Sequence, residues 1–204
     1  MMSEVTPPAD RILTAAESVL RRHGVEKTNV VDIARVLGIS HSNIYRHFPS
    51  KKALLDAVAA RWLQAVTAPL EAIAKDHTRT PTARLIAWFD TLRVAKQQKV
   101  LADPELFRVY HRLAMAAGEL ASMHVTGLLD QIEGIIAEGI ATGEFSARLD
   151  ARVSALACLQ SMSPFHHPAL LSQGKTPPKE EEARAVLGLL LAGLRSGPAP
   201  LLVK

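Results

Sequence analysis

Residues 30–48 read VVDIARVLGISHSNIYRHF, and the fold follows from where this stretch is apolar and where it is not. Ile33, Ala34 and Leu37 recur at three- and four-residue spacing, which gives a short helix one inner face. Ala34 is small, as a residue must be where two helices cross closely. Gly38 follows, and a left-handed backbone is unstrained only for glycine, so the chain turns there. Ile39 fits beneath the turn. Ile44 faces inward from a second short helix, Phe48 closes its end and Pro49 stops it. Two short helices joined by a tight glycine turn, apolar only where they face each other, make a helix-turn-helix. Thr28 is placed to cap the first of them and Ser40 the second.

The outward residues then define a surface. Ser40, His41, Ser42 and Asn43 occupy the first turn of the second helix, all small or hydrogen-bonding and none acidic. A recognition helix offers its N-terminal residues to base edges in the major groove, where Asn pairs with adenine and Ser and His donate or accept. Tyr45, Arg46 and His47 are spaced to reach phosphates. So are Thr28 and the N–H groups that begin the preceding helix. Lys51 and Lys52 open the next helix, where a cation opposes the helix dipole by ~0.3–1 kcal/mol and a nearby phosphate would offset that. Residues 33–55 contain no Asp or Glu but do contain Arg35, Arg46, Lys51, Lys52, His41 and His47. Charge alone fits a phosphate-facing surface or a solvated helix face. Agreement of the alanine, the glycine, the apolar positions and the caps decides for the first.

Outward from this motif the sequence reads as helix almost throughout. Alanine and leucine abound, period-two alternation is missing and aromatic residues make up only 4% of the 204. A disordered arm is expected over 1–9. A first helix runs from an N-cap at Asp10 to His23, with Gly24 ending it and Ile12, Ala15, Ala16, Val19 and Leu20 on one face. Ser50 caps a fourth helix that passes Trp62 and reaches about Leu70, with Pro69 bending or ending it. Further helices are expected over about 82–99, from Asp103-Pro104 to about 117, from Gly118 to near Gly143, from Asp150 to about Met162, and from Lys179 to Arg195. Pro164 and Pro168 break the chain, 172–178 is a loop and the tail is frayed.

Composition narrows the function classes. Hydrophobic residues make up 48%, enough for a core, and no apolar run approaches the ~20 residues of a bilayer span. The first residues carry acids and prolines instead of an apolar leader, so a cytoplasmic protein without membrane contact is expected. One cysteine, Cys158, excludes an internal disulfide framework, and its apolar neighbours make it a small buried hydrophobe. The net charge of +4 is concentrated towards the N-terminus: residues 1–61 carry nine Lys/Arg against six Asp/Glu.

The C-terminal part holds no Gly-rich phosphate loop, HExxH or serine elbow, so neither an enzyme nor a cofactor is expected. His111, His124, His166 and His167 are ligands for a metal or residues of helix ends and pocket walls. Adjacent histidines point apart and no i,i+4 pair exists, so no metal is expected. Trp88, Phe89, Phe107, Tyr110, Met115, Met123, Met162 and Phe165 gather among few charges that look buried. Such residues make a core, or with Tyr110, His111 and His166 they line a cavity. Spacing does not choose between the two. The last helix carries an apolar stripe of Ala183, Val186, Leu187, Leu190, Leu191 and Leu194, which packs on a neighbour or within the chain.

The segment TNVVDIARVLGISHSNIYRHFPSKKALLDAV resembles the TetR family of bacterial repressors, through DIARVLGIS, the Tyr45-x-x-Phe48 pair and SKKALL. The likeness covers residues 10–60 closely. Beyond them the helical layout and the turn EGIATGEF resemble the regulatory domain of that family. Asn43 departs from the small residue common there, which bears on the bases read. The resemblance implies an all-α homodimer of about nine helices, with a DNA-binding domain over 1–50 and a regulatory and dimerisation domain over 51–204. The last two helices would pair across the dimer axis on a near-palindromic operator. It also implies a repressor released from double-stranded DNA by a small molecule. That effector is expected to be mostly apolar, held by Trp88, Phe89, Phe107, Tyr110, His111, Met123, Met162 and His166. The alternative class is a helical enzyme or adaptor that merely carries a basic hairpin.

Overall fold

A computed structural model describes residues 8–173 and 178–197, and every regular element among them is an α-helix. The expected arm up to residue 7, most of the loop at 174–177 and the tail from 198 lie outside the described residues. In order the helices are α1 (Pro8–Lys27), α2 (Val30–Leu37), α3 (His41–His47), α4 (Lys51–Ala74), α5 (Pro81–Ala102), α6 (Pro104–Ala116), α7 (Glu119–Ala141), α8 (Ala151–Ser161), α9 (Ser163–His166), α10 (Pro168–Gln173) and α11 (Glu180–Ser196). They form two compact units, Met1–Gln64 with Asp103–Ala121, and Ala65–Ala102 with Ser122–Lys204.

Several boundaries differ from the expectation, each for a local reason. The first helix begins at Pro8, because proline presets the helical φ and has no N–H to leave unsatisfied. Asp10 therefore sits inside the first turn, where its charge suits the dipole. Gly24 breaks α1 as expected, at φ 71° and ψ 178°. The cap of α2 is Asn29, one residue after Thr28: its side chain accepts from the Val31 N–H at 2.7 Å. Ser40 holds the N-cap position of α3 without a side-chain capping bond, whereas Ser50 Oγ accepts from the Ala53 N–H at 3.0 Å. Pro69 does not end α4; Val66 and Leu70, both fully buried, anchor the helix on either side of it. Asp103 and Asp150 cap α6 and α8, accepting from Leu106 and Val153 N–H at 2.9 and 2.8 Å. Pro164 and Pro168 start short helices as well as interrupting the chain, and α9 and α10 account for the excess over nine.

In the first unit Ile12, Ala16, Val19, Leu20, Ile33, Ala34 and Ile44 are buried together, as their spacing required. α6 belongs to the same unit and packs on α1. Tyr110 stacks on Trp62 with ring centroids 5.1 Å apart, and Phe107 meets the same indole edge-on at 5.9 Å. Arg61 joins α4 to α1 through Glu17 at 2.7 Å and the Asp10 carbonyl at 3.2 Å.

The second unit has its own core, with Trp88, Phe89, Leu92, Ile132, Ile136, Phe145 and Met162 at its centre. The stripe of the last helix is used within the chain: Ala183, Leu187, Leu191 and Leu194 are buried in that core. Apolar residues left exposed near it are Val153 and Leu156 on α8 and Leu189 on α11. The EGIATGEF turn closes by a Phe145 N–H bond to the Gly139 carbonyl at 2.9 Å, with Gly143 at φ 77°. Contrary to the impression of few buried charges, Arg84, Arg93 and Lys96 on α5 are 1%, 7% and 3% exposed. Among the described residues no helix is long and apolar enough to cross a membrane.

Candidate nucleic-acid interface

Gly38 sets the angle between α2 and α3. At φ 67° and ψ 30° it is left-handed, and its N–H closes α2 on the Ala34 and Arg35 carbonyls. The Ile39 N–H follows onto the Ala34 carbonyl at 3.1 Å. Ile33, Ala34 and Ile44 turn inward, so the opposite side of α3 faces outward. Ser40, His41, Ser42, Tyr45, Arg46 and His47 are exposed and Asn43 is half-buried. His41 meets Tyr45 edge-on across one turn, at 6.3 Å, which limits the rotamers of both. The expected surface residues of α3 thus lie on one short helix, whose first turn carries no acid.

Two cations of this region have carboxylate partners. Lys52 donates to Asp56 at 2.6 Å and Arg35 to Asp32 at 2.7 Å. Exposed pairs of this kind contribute ~0–1 kcal/mol, so a phosphate competes for either cation on nearly equal terms. Lys51, half-buried, stands at the first position of α4. Thr28 is the exception among the expected contacts: it is 1% exposed and its hydroxyl donates to the Gly24 carbonyl at 2.6 Å. It closes the link between α1 and α2.

One neighbour was missed by sequence reasoning. Arg11 of α1 lines a cleft of about 390 Å³ with Leu37, Ile39, Asn43, Arg46 and His47. Nothing in its spacing marks it, because only packing of α1 on α2 brings it there.

The residues expected around an effector divide between the units. Phe107, Tyr110 and His111 belong to the first, where burial and then the Glu17 carboxylate push the Tyr110 phenol up. Trp88, Phe89, Met123, Met162 and His166 belong to the second. There Trp88 and Phe89 meet edge-on at 5.0 Å, and the Trp88 N–H donates to Gln131 at 2.8 Å. Met162 and His166 are buried, while Met123 is exposed. A recess of about 330 Å³ in this unit is bounded by Lys75, His77, Arg84 and Glu138 together with the apolar Ala74 and Ile135. Arg84 reaches Glu138 at 2.5 Å and the Ala74 carbonyl at 2.9 Å. The Arg84 bond to Glu138, and after it the His77 bond at 3.0 Å, hold the Glu138 carboxyl below its usual range. Among the described residues no group of three His, Cys, Asp or Glu side chains is placed to hold a metal ion.

Known proteins share both parts of the chain. Residues 12–58 match the family described as bacterial regulatory proteins, tetR family. Residues 81–187 match the tetracyclin repressor-like C-terminal domain. The HTH-type transcriptional regulator RutR of Escherichia coli K12 is 30% identical over 140 residues. That alignment takes in 66% of this chain and 63% of RutR, so the chain spans somewhat under two thirds of that relative's length. Among solved structures, SmeT, the repressor of the Stenotrophomonas maltophilia multidrug efflux pump SmeDEF, superposes with a TM-score of 0.69 at 20% identity, covering 99% of this chain and 98% of SmeT. FadR of Bacillus subtilis, in complex with stearoyl-CoA, gives 0.64 at 20% identity, covering 93% and 99%. At such identities these two likenesses concern the fold.

Proposed function

Because the chain belongs to the TetR family of bacterial regulatory proteins, we propose that it is a sequence-specific DNA-binding repressor whose hold on its operator is loosened by a small molecule. The observation that carries the reading is the exposed, acid-free first turn of α3, held at a fixed angle by Gly38. In this reading Ser40, His41, Ser42 and Asn43 meet base edges in the major groove. Tyr45, Arg46, His47, Lys51, Lys52 and Arg11 hold phosphates on either side. The functional division puts DNA binding in residues 1–50 and regulation and dimerisation in the remainder. Such a protein works where the chromosome is, in the bacterial cytoplasm.

Two copies would pair through α8 and α11, burying Val153, Leu156 and Leu189, which are 65%, 42% and 75% exposed in the single chain. A two-fold dimer reads a near-palindromic site. The effector would lie among Trp88, Phe89, Met162 and His166 of the second unit. It releases DNA only if it binds the released form more tightly than the operator-bound form. A gel shift on the DNA upstream of the chain's own gene tests the whole reading. Specific, salt-sensitive retardation supports it; equal, weak binding to all DNA would leave a helical enzyme or adaptor as the better account.

A further inference from the structure

Gln131 on α7 has a partner that decides which way round its amide stands. The indole N–H of the fully buried Trp88 donates to it at 2.8 Å. An indole N–H only donates, so the amide atom that it meets is the oxygen. The amide nitrogen is left over with its two hydrogens, and among the described residues no acceptor takes either of them.

Gln131 lines the recess of about 330 Å³ described above, a volume at the small end of the ~300–1,000 Å³ of small-molecule sites. Its walls are tied to one another. Arg84, 1% exposed, lines the recess and joins the Ala74 carbonyl of α4 at 2.9 Å to Glu138 of α7. The Arg84 Nε finds no acceptor among the described residues. Ala74 and the buried Ile135 supply apolar surface. Gly134 lines the same recess, and a Cβ there would meet nothing within 4 Å, so a larger side chain would occupy space that is now open.

The acids around the recess already have cations: Glu71 has Lys75 at 2.5 Å, Asp130 has Arg152 at 2.6 Å and Glu138 has Arg84. An ionic ligand would gain little from groups that are paired and in contact with water. The Gln131 amide, by contrast, is a fixed donor without charge.

We propose that this recess is a small-molecule site, and that its ligand is an uncharged, mostly apolar compound presenting a carbonyl oxygen to the Gln131 amide. A carbonyl oxygen accepts what the amide nitrogen donates. The body of the ligand lies on Ala74, Ile135 and the backbone at Gly134. No lining residue belongs to the effector position given above, so the site is additional to it and its test involves no DNA.

Titration of the isotope-labelled full chain with benzamide, benzoate and benzylamine, followed through the indole N–H signals of Trp88 and Trp62 by NMR, tests the assignment. The probes share a ring and differ in the head group. Benzamide should move the Trp88 signal saturably, leave Trp62 in place and bind about threefold or more tighter than the other two. Gly134→Leu fills the open space and should abolish the response, with the helix content unchanged in circular dichroism. Gln131→Glu keeps an oxygen for the Trp88 N–H and puts an acceptor where the donors were. It should weaken benzamide by about tenfold and make benzylamine the preferred probe. No saturable shift at Trp88, equal shifts at both indoles, a wild-type preference for benzoate or benzylamine, or a benzamide response unchanged in either variant would overturn the proposal.

Discussion

Thr28 and Asn29 are neighbours with different tasks. Both have the chemistry of an N-cap, and spacing does not tell which of them stands at the start of α2. Thr28 turns inward to the Gly24 carbonyl and Asn29 takes the cap. Asn29→Ala should therefore cost about 1 kcal/mol in urea denaturation through loss of the bond to Val31. No change would mean that the cap is idle. The same scale governs the acid response. His124 and His166 fall from the ordinary 6.5 to about 4 in the folded chain, chiefly through burial. The unfolded chain then binds more protons between those values. Stability from these groups is whole above about pH 6.5 and is lost as the pH falls towards 4, by up to about 1.4 kcal/mol per pH unit for each histidine. His124→Gln should remove roughly one proton's worth of that slope in denaturation midpoints measured from pH 7 to 4.5. An unchanged slope would show that His124 is not held neutral by the fold.

At the scale of elements, the period of the apolar residues made nearly every helix legible, because 3.6-residue spacing is a property of the chain itself. What an element packs against was not. The stripe on α11 fits a partner or the chain's own core equally well, and it is the core that takes Leu187 and Leu191. α6 looked like part of an effector pocket, yet its Phe107 and Tyr110 pack on Trp62 in the first unit. Lys96 lay unremarked on α5, since nothing in the spacing says that a lysine will be buried. Two outcomes follow from the packing seen here. A Cβ at Gly139 would clash with the edge of the Phe145 ring, so Gly139→Ala should destabilise the second unit by ~1–3 kcal/mol. A glycine-to-alanine change in an open helix would instead add about 1 kcal/mol of stability, which makes the sign decisive in thermal denaturation. Leu189, the most exposed large apolar residue of α11, should be covered in a dimer. Leu189→Lys should shift sedimentation from dimer to monomer, and a wild-type chain that is monomeric at micromolar concentration would end that idea.

Over the whole molecule, the helix-turn-helix was readable because its signal is local: Gly38, Ile44 and the polar first turn of α3 lie within one short stretch. The sorting of the residues expected around an effector was not, because they come from separate helices and only folding divides them between the two units. If the two functions are coupled, the coupling is reciprocal, so operator DNA must weaken effector binding by the factor with which effector weakens DNA binding, typically worth ~1–3 kcal/mol. The central claim is that the first turn of α3 reads bases while the cations around it hold phosphates. Selection of binding sites from random duplex DNA, run in parallel on wild type, Lys51→Ala and Ser42→Ala at several salt concentrations, tests it most directly. The account predicts a near-palindromic site for wild type. It predicts uniform weakening with a salt slope smaller by about one for Lys51→Ala, and a preference altered by ~1–3 kcal/mol at one base pair of each half-site for Ser42→Ala. No enriched sequence, or a Lys51→Ala protein with changed base preference and an unchanged salt slope, would contradict it.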